Sequence, residues 1–182
     1  MATDFKATLD QLVTDSKGDW KTFIRKLGPI HARWHQEHNG NIATLGFLIF
    51  HWKLIQRFKK VGADTGLGGL HGIQAFTEAQ FSSFGQPYNV TESVGKGDVN
   101  AFEVFSGDVE AWHNDAHMAV GMAFHHDLMN PRTNVRRPEF WRLHYFINDR
   151  FDEQLRKFGG SGATPPSQVK ALEKKPAAAA SI

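Results

Sequence analysis

The chain has 182 residues, 41% of them hydrophobic and 12% aromatic, with a formal net charge of +2. That length allows one domain with a substantial core, and so weak a charge, with no basic stripe, argues against nucleic acid as a partner. There is no cysteine, which excludes disulfides, thiolate metal sites and cysteine nucleophiles together.

Met1-Ala2-Thr3-Asp4-Phe5-Lys6 lacks the basic-then-apolar pattern of a secretory leader. No apolar run approaches the ~20 residues needed to cross a bilayer. A cytoplasmic protein is expected.

Residues 3–15 read as an amphipathic helix with Phe5, Leu9, Leu12 and Val13 on one face. Gly18 separates it from a helical run over 20–27. Gly28-Pro29 then reads as punctuation, with Pro29 in the first turn of a new helix. That helix carries His31, Trp34, His35 and His38 and stops at Asn39-Gly40. Residues 41–61 form the longest periodic segment, with Leu45, Leu48, Ile49, Trp52 and Ile55 in an apolar stripe and His51 at its edge. The glycine-rich stretch 62–72 reads as loop, 73–84 as a short helix, and 85–100 as polar and turn-rich.

Ser106-Gly107-Asp108 has the composition of a cap before a helix bearing His113 and His117. A connection over 122–136 holds His125, His126 and Asn130-Pro131. The last strong helix, 138–158, spaces Phe140, His144, Ile147, Phe151 and Leu155 for burial. From Gly159 on, the Gly, Ser, Pro and Ala composition reads as a disordered tail. The expected organisation is a single helical domain over 1–158 and a tail over 159–182. Its fold class is all-α, a four-helix bundle carrying a dinuclear metal site, with peripheral short helices and loops.

Histidine is the conspicuous residue, with ten copies. Residues four apart share a helix face, so His31 and His35 can bind one ion, and so can His113 and His117. Each pair is followed by a helix with a single histidine beside its apolar stripe, His51 and His144 respectively. Spacing alone is weak evidence, since ten histidines in this length give roughly half of one such pair by chance. The arrangement adds to it: six imidazoles turned into one core are costly to bury without a partner. Two triads follow, His31/His35/His51 and His113/His117/His144. Donors that are all imidazole favour copper or zinc over non-heme iron. The bland reading of each is a core histidine satisfied by hydrogen bonds. His38, a substitute ligand for His51, His71, His125 and His126 read as loop or surface residues, with His125 and His126 alternatively lining the mouth of the site.

Phe140-Trp141-Arg142-Leu143-His144-Tyr145-Phe146-Ile147 resembles the second-copper signature Phe-Tyr-Arg-Trp-His-x-Phe-Ile of arthropod-type hemocyanins and prophenoloxidases. His113-Asn114-Asp115-Ala116-His117 is similar to the His-Asn-x-x-His of the wider type-3 copper family. His31-Ala32-Arg33-Trp34-His35 resembles the hemocyanin first-copper His-x-x-Trp-His, and Phe47-Leu48-Ile49-Phe50-His51 the Phe-Leu-Pro-Trp-His of tyrosinases. Residues 62–105 are unmatched. The resemblance implies two copper ions, three histidines to each, binding dioxygen between them. It implies for Asn114 the role of orienting a water that deprotonates a phenol; Glu110 and Glu103 are further candidates to polarise that water.

The implied activity is a tyrosinase- or catechol-oxidase-like copper oxidoreductase, a monooxygenase or oxidase. It activates dioxygen to oxidise or hydroxylate phenols, catechols or aminophenols. Its partners are dioxygen and a small phenolic substrate, with a copper chaperone as a further candidate. The alternative is a non-enzymatic, hemocyanin-like oxygen-binding or copper-binding protein. Glu110-Ala111-Trp112-His113 also fits the Glu-x-x-His of di-iron bundles, but that motif should occur twice and is found once.

Overall fold

The computed structural model describes residues 4–38 and 46–159. Seven α-helices follow one another: α1 (Phe5–Ser16), α2 (Trp20–His38), α3 (Gly46–Lys60), α4 (Ala63–Gly68), α5 (Glu78–Ser83), α6 (Val99–Phe124) and α7 (Pro138–Gly159), with 3-10 turns at Gly69–His71 and Asn134–Arg136. There is no strand among the described residues, and the all-helical class is as expected. No described helix is long and apolar enough to cross a membrane. The tail beyond Gly159, and the helix stop at Asn39-Gly40, lie outside the described residues.

Local chemistry sets the helix ends. Asp4 caps α1, its Oδ1 accepting from Ala7 N at 3.0 Å, and Lys17 ends it in the left-handed region at φ 49°. Thr77 and Gln80 form a reciprocal capping box at the start of α5. Two boundaries differ from expectation. Gly28-Pro29 does not divide the chain: α2 runs through Pro29 as one helix of 19 residues. Proline removes one backbone donor and crowds the preceding turn. Burial on either side outweighs that loss, since Phe23, Ile24 and Leu27 before it and His31 and Trp34 after it share the inward face. Likewise Ser106-Gly107-Asp108 is not a cap but helix interior, because α6 starts at Val99 with Asp98 accepting from Ala101 N at 3.0 Å. Phe102, Phe105 and Val109 are buried on this extended first part, which offsets the ~1 kcal/mol that Gly107 costs in a helix.

The segment 62–72, expected as loop, is instead α4 and a 3-10 turn. Asp64 explains its order: one carboxylate oxygen accepts from Ile73 N at 3.0 Å and from Tyr145 Oη at 2.8 Å, tying the segment to α7.

α1 packs on α2 and α3, while α7 packs on α3 and α6; α2 meets α3, and α3 meets α6. The core is built on large rings. Phe58 stacks on Trp141 at 3.6 Å between centroids, and Trp141 Nε1 donates to Val135 O at 2.8 Å. Gly28 is where the 130s loop meets α2. A Cβ there would overlap the Arg132 carbonyl oxygen, so the close approach requires glycine. Gly28→Ala is expected to destabilise the fold by about 2 kcal/mol, roughly 4–8 °C in Tm, by pushing this loop off α2. An unchanged melting curve would show that the loop moves aside freely.

Candidate metal centre

The six histidines come from four helices. α2 carries His31 and His35 one turn apart, α3 carries His51, α6 carries His113 and His117 one turn apart, and α7 carries His144. His31, His51, His113, His117 and His144 are buried and His35 is half-buried. Within each triad, one ring nitrogen per residue lies within 4.8 Å of the other two, so either group could hold a metal ion. The structure carries no ion, and its donors allow a direct test of fit.

Three rings have their Nδ1 occupied. His31 Nδ1 lies 2.8 Å from Pro131 O, His51 Nδ1 2.9 Å from Phe47 O, and His144 Nδ1 2.7 Å from Phe140 O. Carbonyl oxygens only accept, so each Nδ1 carries the hydrogen and each Nε2 presents a lone pair. Backbone carbonyls orienting ligand histidines in this way are typical support of a metal centre. Two of these Nε2 atoms meet the Nε2 of a triad partner: His31 and His35 approach to 3.1 Å, and His144 and His113 to 3.1 Å. Two nitrogens so spaced subtend about 100° at an ion with bonds of about 2.0–2.1 Å, close to tetrahedral. His51 Nε2 is buried with no hydrogen-bond partner at all. An ion would satisfy it. The donor set fits.

The triads also meet each other. His51 and His144, one from each, stack with centroids 4.7 Å apart, and His51 and His113 lie at 5.8 Å. Aromatic rings wall them in. Trp34 stands edge-on to His35 at 4.9 Å and to His51 at 5.2 Å, and Phe47 lies 4.5 Å from His51 and 4.7 Å from His113. Phe140 closes the other side, 5.2 Å from His31 and 4.0 Å from His144.

Desolvation in this shell, with the neighbouring imidazoles adding to it, pushes all six proton affinities down. His35 falls to about 4 and His117 to about 3. His31, His51, His113 and His144 are held well below the usual 6.5. Neutral imidazole is the metal-binding form, so the folded protein presents six competent donors at neutral pH.

A cavity of about 550 Å³ opens onto His35, His113 and His117, ligand candidates from both triads. Asn114 is on its wall, beside His113, as are Gln36, Met129 and Asn134. The sequence did not single out the last three. Asn134 and Met129 reach the cavity because the 130s loop folds back over α2, a long-range contact with no local signature.

His38 is not part of either triad. It stacks on Trp34 at 4.3 Å, and its Nε2 lies 3.3 Å from Glu110 Oε1, both side chains being largely buried. That pairing also directs Glu110 to His38 rather than to a triad, which leaves the Glu-x-x-His spacing without a metal role. His126 pairs with Glu139 at 3.1 Å, His125 caps α6 in the left-handed region at φ 54°, and His71 is exposed. His125 and His126 are not on the cavity wall. Searches against protein-family models, curated proteins and solved structures find no match to this chain.

Proposed function

We propose that α2, α3, α6 and α7 are the four-helix frame of a dinuclear centre, and that the six histidines hold two copper ions. On this reading the protein activates dioxygen to oxidise or hydroxylate phenols, catechols or aminophenols. The observation that carries the proposal is the meeting of two all-imidazole triads, through His51 and His144, under a cavity that reaches both. Imidazole without thiolate or carboxylate suits copper, and histidines arranged three and three suit a matched pair of ions. A copper pair held there would supply two electrons toward the reduction of dioxygen.

The chain's own residues do the rest. Pro131 O, Phe47 O and Phe140 O fix three imidazoles in the tautomer that leaves Nε2 bare. Trp34, Phe47, Phe50 and Phe140 exclude water from the ligand shell, with Trp34 stacked on Phe50 at 4.3 Å. The opening beside Asn114 admits an aromatic ring to His35, His113 and His117. Asn114 is exposed on that wall, and on this reading its carboxamide orients a water beside the incoming hydroxyl. A centre this accessible favours an enzyme over an oxygen carrier, which must admit oxygen while excluding substrate.

The test loads the metal-free protein with copper, then adds oxygen, then a catechol or a monophenol. Near-ultraviolet absorption on oxygenation followed by quinone formation is the expected result. An oxygen adduct without quinone would reassign the protein as a carrier. Selective, colourless zinc loading would overturn the copper reading.

A further inference from the structure

Large apolar side chains are rarely exposed among the described residues, yet Met118, Met122 and Met129 stand 53%, 71% and 58% exposed. They are three of the chain's four methionines. Methionine is ordinarily an interior residue, so core packing does not account for this placement.

The fold brings the three to one place. Asn114, Met118 and Met122 follow at four-residue intervals on α6 and so share one edge of that helix. Asn114 is on the cavity wall, and Met118 and Met122 continue its edge by one and two turns. Met118 also directly follows His117. Met129 returns to α6 from the segment beyond it. Its neighbour Leu128 lies against Gly121, where an added Cβ would come within 3.6 Å of Leu128 N and 3.7 Å of Leu128 Cβ. Gly121 is three residues past Met118 and next to Met122, so the segment bearing Met129 lies on the same stretch of α6. Met129 itself shares the cavity wall with His35, His113 and His117.

We propose that Met118, Met122 and Met129 form an entry site for monovalent copper, which takes up Cu(I) through thioether sulfur at the cavity mouth and passes it to the histidines. This rests on reading the triads as copper ligands. Soft thioethers select Cu(I) over Zn(II), and the unbranched methionine side chain lets each sulfur adjust its position. Transfer inward is a ligand exchange. Copper–sulfur bonds break as copper–nitrogen bonds form at His117 or His35, and the copper stays monovalent throughout. Neutral thioethers hold the ion loosely, so it moves on and is not retained beside the two in the triads.

Two experiments test the site and the transfer. In the first, the zinc-loaded protein, its histidines occupied, is titrated with Ag(I), a redox-silent mimic of Cu(I), and the methionine methyl groups are followed by NMR. The methyls of Met118, Met122 and Met129 are expected to shift together and saturate at one ion per chain. Each of Met118→Leu, Met122→Leu and Met129→Leu should weaken this binding at least about tenfold, since even changes outside the ligand set cost 10–100-fold. Leucine keeps the volume and the apolar character at exposed positions, so the fold is unaffected. Methyls that shift independently, or without saturating at one ion, are three separate surface side chains and overturn the proposal. In the second, metal-free wild type and the triple leucine variant are loaded from chelated Cu(I) and, separately, from Zn(II). Copper loading should slow about tenfold in the variant, following the lost occupancy of the entry site, with zinc loading unchanged. Equal copper rates, or equal slowing for both metals, overturn the transfer. Triads that stay empty of copper in both proteins overturn the underlying reading and the transfer with it, while the methyl titration still decides whether the three sulfurs form a site.

Discussion

Protein produced with copper is expected to carry two ions per chain, and His144→Ala is expected to carry about one. The reasoning starts from the division of donors. His113, His117 and His144 are one group and His31, His35 and His51 the other, with ligand atoms of each within 4.8 Å. Removing His144 leaves two nitrogens, and an outer-sphere change alone typically costs 10–100-fold in affinity, so loss of a direct donor should cost at least about a hundredfold. The other triad keeps all three donors. His51→Ala should give the same count by emptying the opposite half, whereas His38→Ala should leave two ions, since His38 pairs with Glu110. If the proposed copper pair acts on dioxygen as a unit, oxidation should vanish in both ligand variants. Far-ultraviolet circular dichroism separates lost metal from lost fold. Two ions retained in His144→Ala would remove it from the ligand set.

The local half of this site could be read from the sequence. His31/His35 and His113/His117 announce themselves because helix geometry puts residues four apart on one face. His51 and His144 could be found because each stands beside an apolar stripe on a strong helix, and both are buried as expected. What sequence could not show is everything that depends on distant segments meeting. Asn134 carries no signal of its own; it matters because Gly28 lets the 130s loop close on α2. The His38–Glu110 pair spans α2 and α6, and neither residue's neighbours foretell the other. Two helix boundaries were misread for a related reason. Pro29 and Gly107 are locally unfavourable in a helix, yet Leu27, His31, Phe105 and Val109 beside them are buried on partner helices. Tertiary burial of several side chains outweighs about 1–3 kcal/mol of local preference.

Acidification should unfold the metal-free protein cooperatively between about pH 6 and 5. The six imidazoles titrate near 6.5 in an unfolded chain. In the fold burial lowers all of them, to about 4 for His35 and about 3 for His117. Below 6.5 the unfolded chain therefore binds protons that the folded chain refuses, and stability falls with falling pH. The contribution is fully present above 6.5 and is drained as pH drops toward the folded values. Six such groups give a slope of about 8 kcal/mol per pH unit, which exhausts a typical reserve of about 5–15 kcal/mol within one to two units. Asp149 and Asp152, whose carboxyls burial pushes up, act in the opposite sense, but both retain substantial solvent contact and start from 3.8, so they do not offset six imidazoles. Bound metal binds only the neutral rings, so loading should shift the transition to lower pH, further at higher free metal. The measurement is helicity against pH, with and without chelator. A metal-free protein that keeps its helices at pH 4 would mean that the rings reach water or one another's protons in ways the buried geometry forbids. Equal midpoints with and without metal would mean that no ion sits on these histidines.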